Sequence, residues 1–275
     1  MLKDSKSLEV SCYVICLGAF GIFFRWMQHM LAYNEESLVN SSAWNVLVPL
    51  LILGAAFAYY RFVNGFEKED MYLPNDFCSA LRNEGKIYSA CRIAIGALML
   101  IGAGLLVLKC EVDKNAKFLF ILAGLAAVTG ISFPFLLIAA NKPHVENRNF
   151  IALLATMPII LFAFWLILCY KQNSTNSVGW DYFIELLAIV FSMIAFFRVA
   201  GFAYGVSDER KSMFFCMLGA TLCLMSLADG RYLGQQVIFV SAAFMQLMFN
   251  WIMISNLKKH KKNPVVEDDS GFEYL

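Results

Sequence analysis

Apolar residues fall into eight blocks along the chain, at roughly 9–31, 43–63, 88–109, 117–141, 149–170, 179–204, 211–228 and 234–256, each bounded by a cluster of charge. A helix rising about 1.5 Å per residue needs about 20 residues to cross a hydrocarbon core about 30 Å thick. Within that core a lone segment satisfies its own backbone only as a helix. The pattern predicts an all-α, polytopic membrane bundle: a single transmembrane domain over 1–256 and a tail over 257–275. The seventh block is the shortest and makes a crossing only with its flanks included. The tail, KKHKKNPVVEDDSGFEYL, is basic beside the membrane and acidic beyond it. It is expected to meet anionic headgroups first and then stay disordered.

Charge placement gives the bundle a direction. Of the 22 Lys and Arg, sixteen fall on one side of the eight blocks, and six (Arg25, Lys109, Lys114, Lys117, Lys171 and Arg231) fall on the other. The excess of cations on cytoplasmic loops places both termini inside, and an even number of crossings agrees by putting them on one side. The first block follows MLKDSKSLEV directly, but it is too long for a signal-peptide core and no small-residue cleavage site follows it, so a retained helix is expected. Composition agrees: 60% of the 275 residues are hydrophobic and 16% charged, against about a quarter charged in soluble chains. A net charge of +1 gives no case for a nucleic-acid partner. The short loops suit a bacterial plasma membrane. Two N-x-[ST] triplets, Asn40-Ser41-Ser42 and Asn173-Ser174-Thr175, fall in outer loops and are glycosylation acceptors only in a eukaryotic secretory membrane.

Of the eight cysteines, most sit inside apolar blocks and none form C-x-x-C, so they read as small packing residues. Cys12 and Cys16 stand at i, i+4 without a nearby His or carboxylate, a poor metal site. The longest loop, 64–87, contains LPNDFCSALRNEGK. A start at Pro74 with Asn75 or Asp76, a shared face of Phe77 and Leu81, and a stop at Gly85 predict a short interfacial helix. A cytoplasmic protein partner docking at 64–87 is the functional alternative for this loop.

AYYR from Ala58 and AFFR from Ala195 close the second and sixth blocks 137 positions apart, about half the chain. A 4 + 4 duplication would produce that spacing; so would the ordinary aromatic-plus-Arg anchoring of helix ends. Pro134 and Pro158 interrupt the fourth and fifth blocks and predict kinks.

Ionisable groups within a span are costly and so point to function. Arg61, Arg92 and Arg198 lie near the cytoplasmic surface and are expected to snorkel. Arg25 lies deeper, about 22 Å along the first span, and Glu185 sits at a similar depth in the sixth. Gln235, Ala242, Gln246 and Asn250 make one face of the eighth span. Gly18, Gly21, Arg25 and Gln28 make a face of the first, and Tyr182, Glu185 and Ser192 a weaker one of the sixth. Two readings follow. In one, Arg25, Gln28, Glu185 and Gln246 line an outward-opening polar cavity for a small polar or zwitterionic ligand, which requires the first and sixth spans to be neighbours. In the other, Arg25 and His29 reach the outer headgroups, Trp26 joins the aromatic belt, and the glutamines bond neighbouring helices.

Three histidines, without H-E-x-x-H, G-x-S-x-G or a Walker lysine, form no catalytic set, and no motif calls for a metal or cofactor. The sequence therefore favours a small-molecule transporter or membrane substrate-binding component over an enzyme. The alternative is a non-transporting sensor, scaffold or accessory subunit acting through its cytoplasmic loop and tail.

Overall fold

A computed structural model describes residues 2–32, 43–68, 71–74, 76–112, 117–141, 148–173, 179–206 and 208–259. The helices are α1 (Leu2–Ala32), α2 (Ala43–Lys68), α3 (Phe77–Ala80), α4 (Lys86–Val112), α5 (Lys117–Ala139), α6 (Arg148–Asn173), α7 (Gly179–Tyr204), α8 (Glu209–Met225) and α9 (Leu233–Asn256). Two short strands, β1 (Met71–Tyr72) and β2 (Lys258–Lys259), pair antiparallel. The Asn40 triplet, Ser174 and Thr175, Asn75, the Lys114 and Lys142 loops, and the tail from His260 onward lie outside the described residues.

All the helices except α3 are long and apolar enough to cross a membrane, which makes the chain an all-α polytopic bundle of eight spans. The two ends of the described chain lie on one side of it, called here the termini side, and the opposite face is the far side. The seventh block is a crossing: Glu209–Ala228 forms α8 and, after it, a 3₁₀ turn over Ser226–Ala228.

That span is among the most enclosed in the bundle. The strongest span of α9 is 78% buried inside the bundle and that of α8 67%, against 22% for α2. Helices shielded from lipid by other helices need fewer apolar residues than those that face it. α9 is the central element. It packs on α1, α4, α7 and α8, and its aromatics reach the remaining wall, with Phe239 on Trp165 of α6 and Phe249 on Phe133 of α5. α2 lies outside this ring against α1 and α8.

Glycine sets the closest approaches. A Cβ on Gly18 would stand 2.9 Å from Leu224 Cβ, and one on Gly21 2.7 Å from Met225 Sδ, so α8 lies directly on that face of α1. Gly96 of α4 admits the Gly130 carbonyl, which a Cβ would meet at 2.7 Å. Pro134 lacks the N–H that would bond this carbonyl, so the backbone gap left by proline is filled by a neighbouring helix.

Packing does not repeat between the halves. α6, α7, α8 and α9 pack in sequence order, whereas α2 packs on α8 and α4 packs on α5 and α9. The cysteines divide: Cys169, Cys216 and Cys223 are buried, whereas Cys12, Cys16 and Cys91 are exposed on the outer surface.

The predicted loop helix forms as α3, one turn long. Asp76 caps it, accepting from Ser79 N at 3.3 Å and Ser79 Oγ at 3.0 Å. Its apolar side is not spread on a lipid interface. Phe77, Ala80 and Leu81 are buried, and Asn256 Nδ2 at the end of α9 donates to Ala80 O and Arg82 O, each at 2.9 Å. Asn83 extends the clamp, since its amide accepts from Arg92 and its N–H donates to Asn141 Oδ1 at 2.8 Å. Arg92 thus ties α4 to the loop, while Arg61 is exposed.

Candidate functional site

Two of the four candidate ligand residues meet on the far side, joined by a residue the sequence reading left out. Arg25 of α1 donates from Nε to Asp229 Oδ1 at 2.6 Å and from Nη1 to Gln28 Oε1 at 2.7 Å. Gln28 in turn donates to Asn45 Oδ1 at the start of α2, at 2.7 Å. His29, one turn beyond Arg25, places Nε2 3.2 Å from the same Asp229 oxygen. Arg25 is 1% exposed and Asp229 fully buried. Arg25 is therefore no headgroup anchor. Trp26, its neighbour, is half-exposed on the outer face, so α1 separates a buried charged face from a lipid-facing aromatic one.

Glu185 of α7 does not pair with Arg25. α1 packs on α2, α8 and α9, and the partner of Glu185 is Arg231, whose Nη2 lies 2.9 Å from Glu185 Oε2. Both ion pairs therefore spring from one turn, Asp229-Gly230-Arg231, between the 3₁₀ turn and α9. Gly230 has φ +59°, a left-handed backbone that reverses the chain, so that residue 229 reaches α1 and residue 231 reaches α7. Two cations and two anions balance, which makes their burial tolerable. Asp229 and Arg231 were legible as a D-G-R tripeptide of both signs between the seventh and eighth spans. Arg231 entered the reading only as an outer-side cation.

Gln246 lies elsewhere, inside the bundle. Its Nε2 donates to Ser192 Oγ of α7 at 2.8 Å, and that hydroxyl stands 3.0 Å from Cys223 Sγ of α8. Gly219 of α8 makes room: a Cβ there would collide with Gln246 Oε1. Arg25, Gln28, Glu185 and Gln246 are all buried, so they do not line one open cavity in this conformation. Two cavities lie toward the termini side. One of about 450 Å³ lies between α1, α2 and α8, with Glu9 and Arg61 among its walls. Another of about 660 Å³ lies between α2 and α8, lined by Asn64, Asp208 and Lys211.

The polar face of α9 is incompletely satisfied. Gln235 Nε2, Gln246 Oε1, and both Asn250 Nδ2 and Oδ1 are buried with no hydrogen-bond partner among the described residues, as is Asp229 Oδ2. From Gln235 to Asn250 this face runs about 22 Å along the central helix. Asn173, the described member of the second N-x-[ST] triplet, turns its side chain inward, with Nδ2 donating to Cys169 O at 2.9 Å. No family model, curated protein or solved structure matches this chain.

Proposed function

We propose that this protein is a transporter for a small polar or zwitterionic solute in the bacterial plasma membrane, and not an enzyme. Its path follows the polar face of α9, and its far-side gate is the Asp229–Arg231 turn. The single observation that carries this reading is the row of buried amide atoms on the central helix, Gln235 Nε2, Gln246 Oε1 and both of Asn250, without a hydrogen-bond partner among the described residues. Buried polar groups are nearly always hydrogen-bonded, and an unpaired one costs about 1–3 kcal/mol. Several along one face of the most enclosed helix are accounted for if another conformation hydrates them or offers them a solute.

The gate follows from charge placement. Two ion pairs, that of Arg25 buried and that of Arg231 partly so, hold α1 and α7 to the turn that begins α9, and two cavities lie toward the termini side, an arrangement that fits a state closed outside and open inside. The sensor or scaffold reading gains less support, because the apolar side of α3 that a docked partner would use is already buried on the bundle.

The test uses Cys169, which is buried beside Glu185. In proteoliposomes, with the other seven cysteines replaced by serine, an impermeant maleimide added from the far side should label Cys169 slowly. An Arg25→Gln, Glu185→Gln double variant should label several-fold faster. One member of a panel of amino acids, vitamins and nucleosides should change the native rate and raise the unfolding midpoint. Equal labelling of both proteins, with no response to any solute, would overturn the transport reading.

A further inference from the structure

We infer a second site, independent of the transport reading: the cavity between α1, α2 and α8 holds the headgroup of a zwitterionic phospholipid, phosphatidylethanolamine. The volume, about 450 Å³, falls in the range of small-molecule pockets, about 300–1,000 Å³, and accommodates a headgroup with its first methylenes.

Depth is the first argument. Glu9 is three residues inside the start of the first span at Lys6, and Arg61 five residues inside the end of the second at Phe66. At about 1.5 Å per residue both lie about 5–8 Å within the hydrocarbon boundary, within side-chain reach of phospholipid headgroups. The lining is the second. Tyr13, Tyr59, Phe62 and Met217 make apolar walls, and the two charges, one of each sign, are Glu9 and Arg61. A soluble zwitterion needs no such walls, whereas a lipid brings glycerol and acyl carbons to cover them. Access is the third. The helices forming the mouth carry large exposed apolar residues, Leu8, Tyr13, Phe57 and Tyr60, so the cavity faces lipid rather than water.

The chemistry divides between the ends. Arg61 offers a planar fork of donors matched to a phosphate, and Glu9 a carboxylate for the ammonium. The Tyr59 hydroxyl is engaged by Thr221 Oγ1 at 2.6 Å, which fixes that ring as a wall.

The test measures the unfolding midpoint of delipidated protein in detergent, and lipid retained in native mass spectrometry, with phosphatidylethanolamine, phosphatidylglycerol and free phosphoethanolamine as probes. Phosphatidylethanolamine should raise the midpoint more than phosphatidylglycerol at equal mole fraction, and free phosphoethanolamine should not. Arg61→Gln should lose retention of both lipids. Glu9→Gln should abolish the preference between them while keeping the phosphatidylglycerol shift, a change that a merely structural role for Glu9 would not produce. Ala58→Trp, which fills the cavity without touching either charge, should lose lipid retention while keeping the lipid-free midpoint. Equal shifts with the two lipids, unchanged retention in Arg61→Gln, or the full shift with free phosphoethanolamine would each overturn the assignment. Mass spectrometry counts lipid whatever a variant does to stability, so a destabilised variant still reports.

Discussion

Removing one charge of the Arg25–Asp229 pair should cost far more than removing both. In Asp229→Asn, Arg25 remains 1% exposed, keeps its bond to Gln28 and loses its counter-charge. Two unit charges about 4 Å apart in an effective dielectric of about 20 attract by about 4 kcal/mol. Breaking a buried pair costs about 3–5 kcal/mol by experience with other proteins, so the two routes agree. The same applies to Arg25→Met, which leaves Asp229 buried with His29 Nε2 3.2 Å from its carboxylate. The double variant buries neither charge and should be destabilised by less than either single, a coupling of at least about 2 kcal/mol. The assay is a double-mutant cycle by SDS-titrated unfolding in mixed micelles, followed by circular dichroism. Single variants within about 0.5 kcal/mol of native, or a double equal to the sum of the singles, would refute the claim that this pair is buried and coupled.

Gly219→Ala should destabilise by about 1–3 kcal/mol through its collision with the Gln246 amide, and adding Gln246→Ala should restore most of the loss; the same unfolding assay reads both. Gln246→Leu alone removes one interhelical hydrogen bond, worth about 0.6 kcal/mol on average in membrane proteins, so its stability should stay near native while any solute-induced shift disappears. Gly96→Val should cost about 1–3 kcal/mol by separating α4 from the Gly130 carbonyl, read as a lower unfolding midpoint. Asp208 caps α8, accepting from Lys211 N at 3.1 Å with Lys211 Nζ 2.7 Å away. Partial burial pushes its carboxyl up, but the Lys211 hydrogen bonds and charge outweigh it and hold the group below its ordinary value of 3.8. A depressed carboxylate stabilises above its unfolded pKa, and the contribution fades as pH falls through the lower folded value. Asp208→Ala should therefore cost about 1 kcal/mol at pH 7, and its difference from native should shrink as pH falls below the ordinary value and through the lower folded one.

The spans were legible because membrane insertion imposes a length and an apolarity that no neighbouring residue can hide. Burial within the bundle was less so. The polar face of α9 and the glycine face of α1 declared themselves by spacing, since an inward face must be small or polar to differ from the lipid side. What spacing could not supply was partner identity. Arg25 and Glu185 lie at matching depths on helices that do not pack together, and depth is the only coordinate a span carries in its sequence. The true partners sit in a three-residue turn, where helical periodicity gives no direction and a single positive φ at Gly230 decides where each side chain goes. α3 was found by its cap and stop signals, but its docking depended on Asn256, more than 170 positions away.

On the transport reading, the ion-paired turn makes the far end of α9 the place where opening costs least. If its task were only to hold α1 and α7 against the centre, apolar packing would serve, as Gly18 and Gly21 with Leu224 and Met225 hold α1 on α8. Replacing buried ion pairs by apolar side chains is often neutral or stabilising. The difference lies in the open state. Separating an apolar seam exposes surface that water does not solvate well, at about 25 cal/mol per Å², whereas separating ion pairs at the membrane edge returns each charge to water and recovers the desolvation cost. Two ion pairs meeting at one turn would thus lower the cost of opening the far side relative to an apolar closure. The turn leads directly into the helix on which several amide atoms lack partners among the described residues, so opening it would bring water to Gln235 first and Gln246 next. Hydrogen exchange should accordingly be faster in the backbone amides of residues 226–235 than in those of 240–250, and uniform protection across both stretches would remove the reason to place a gate there.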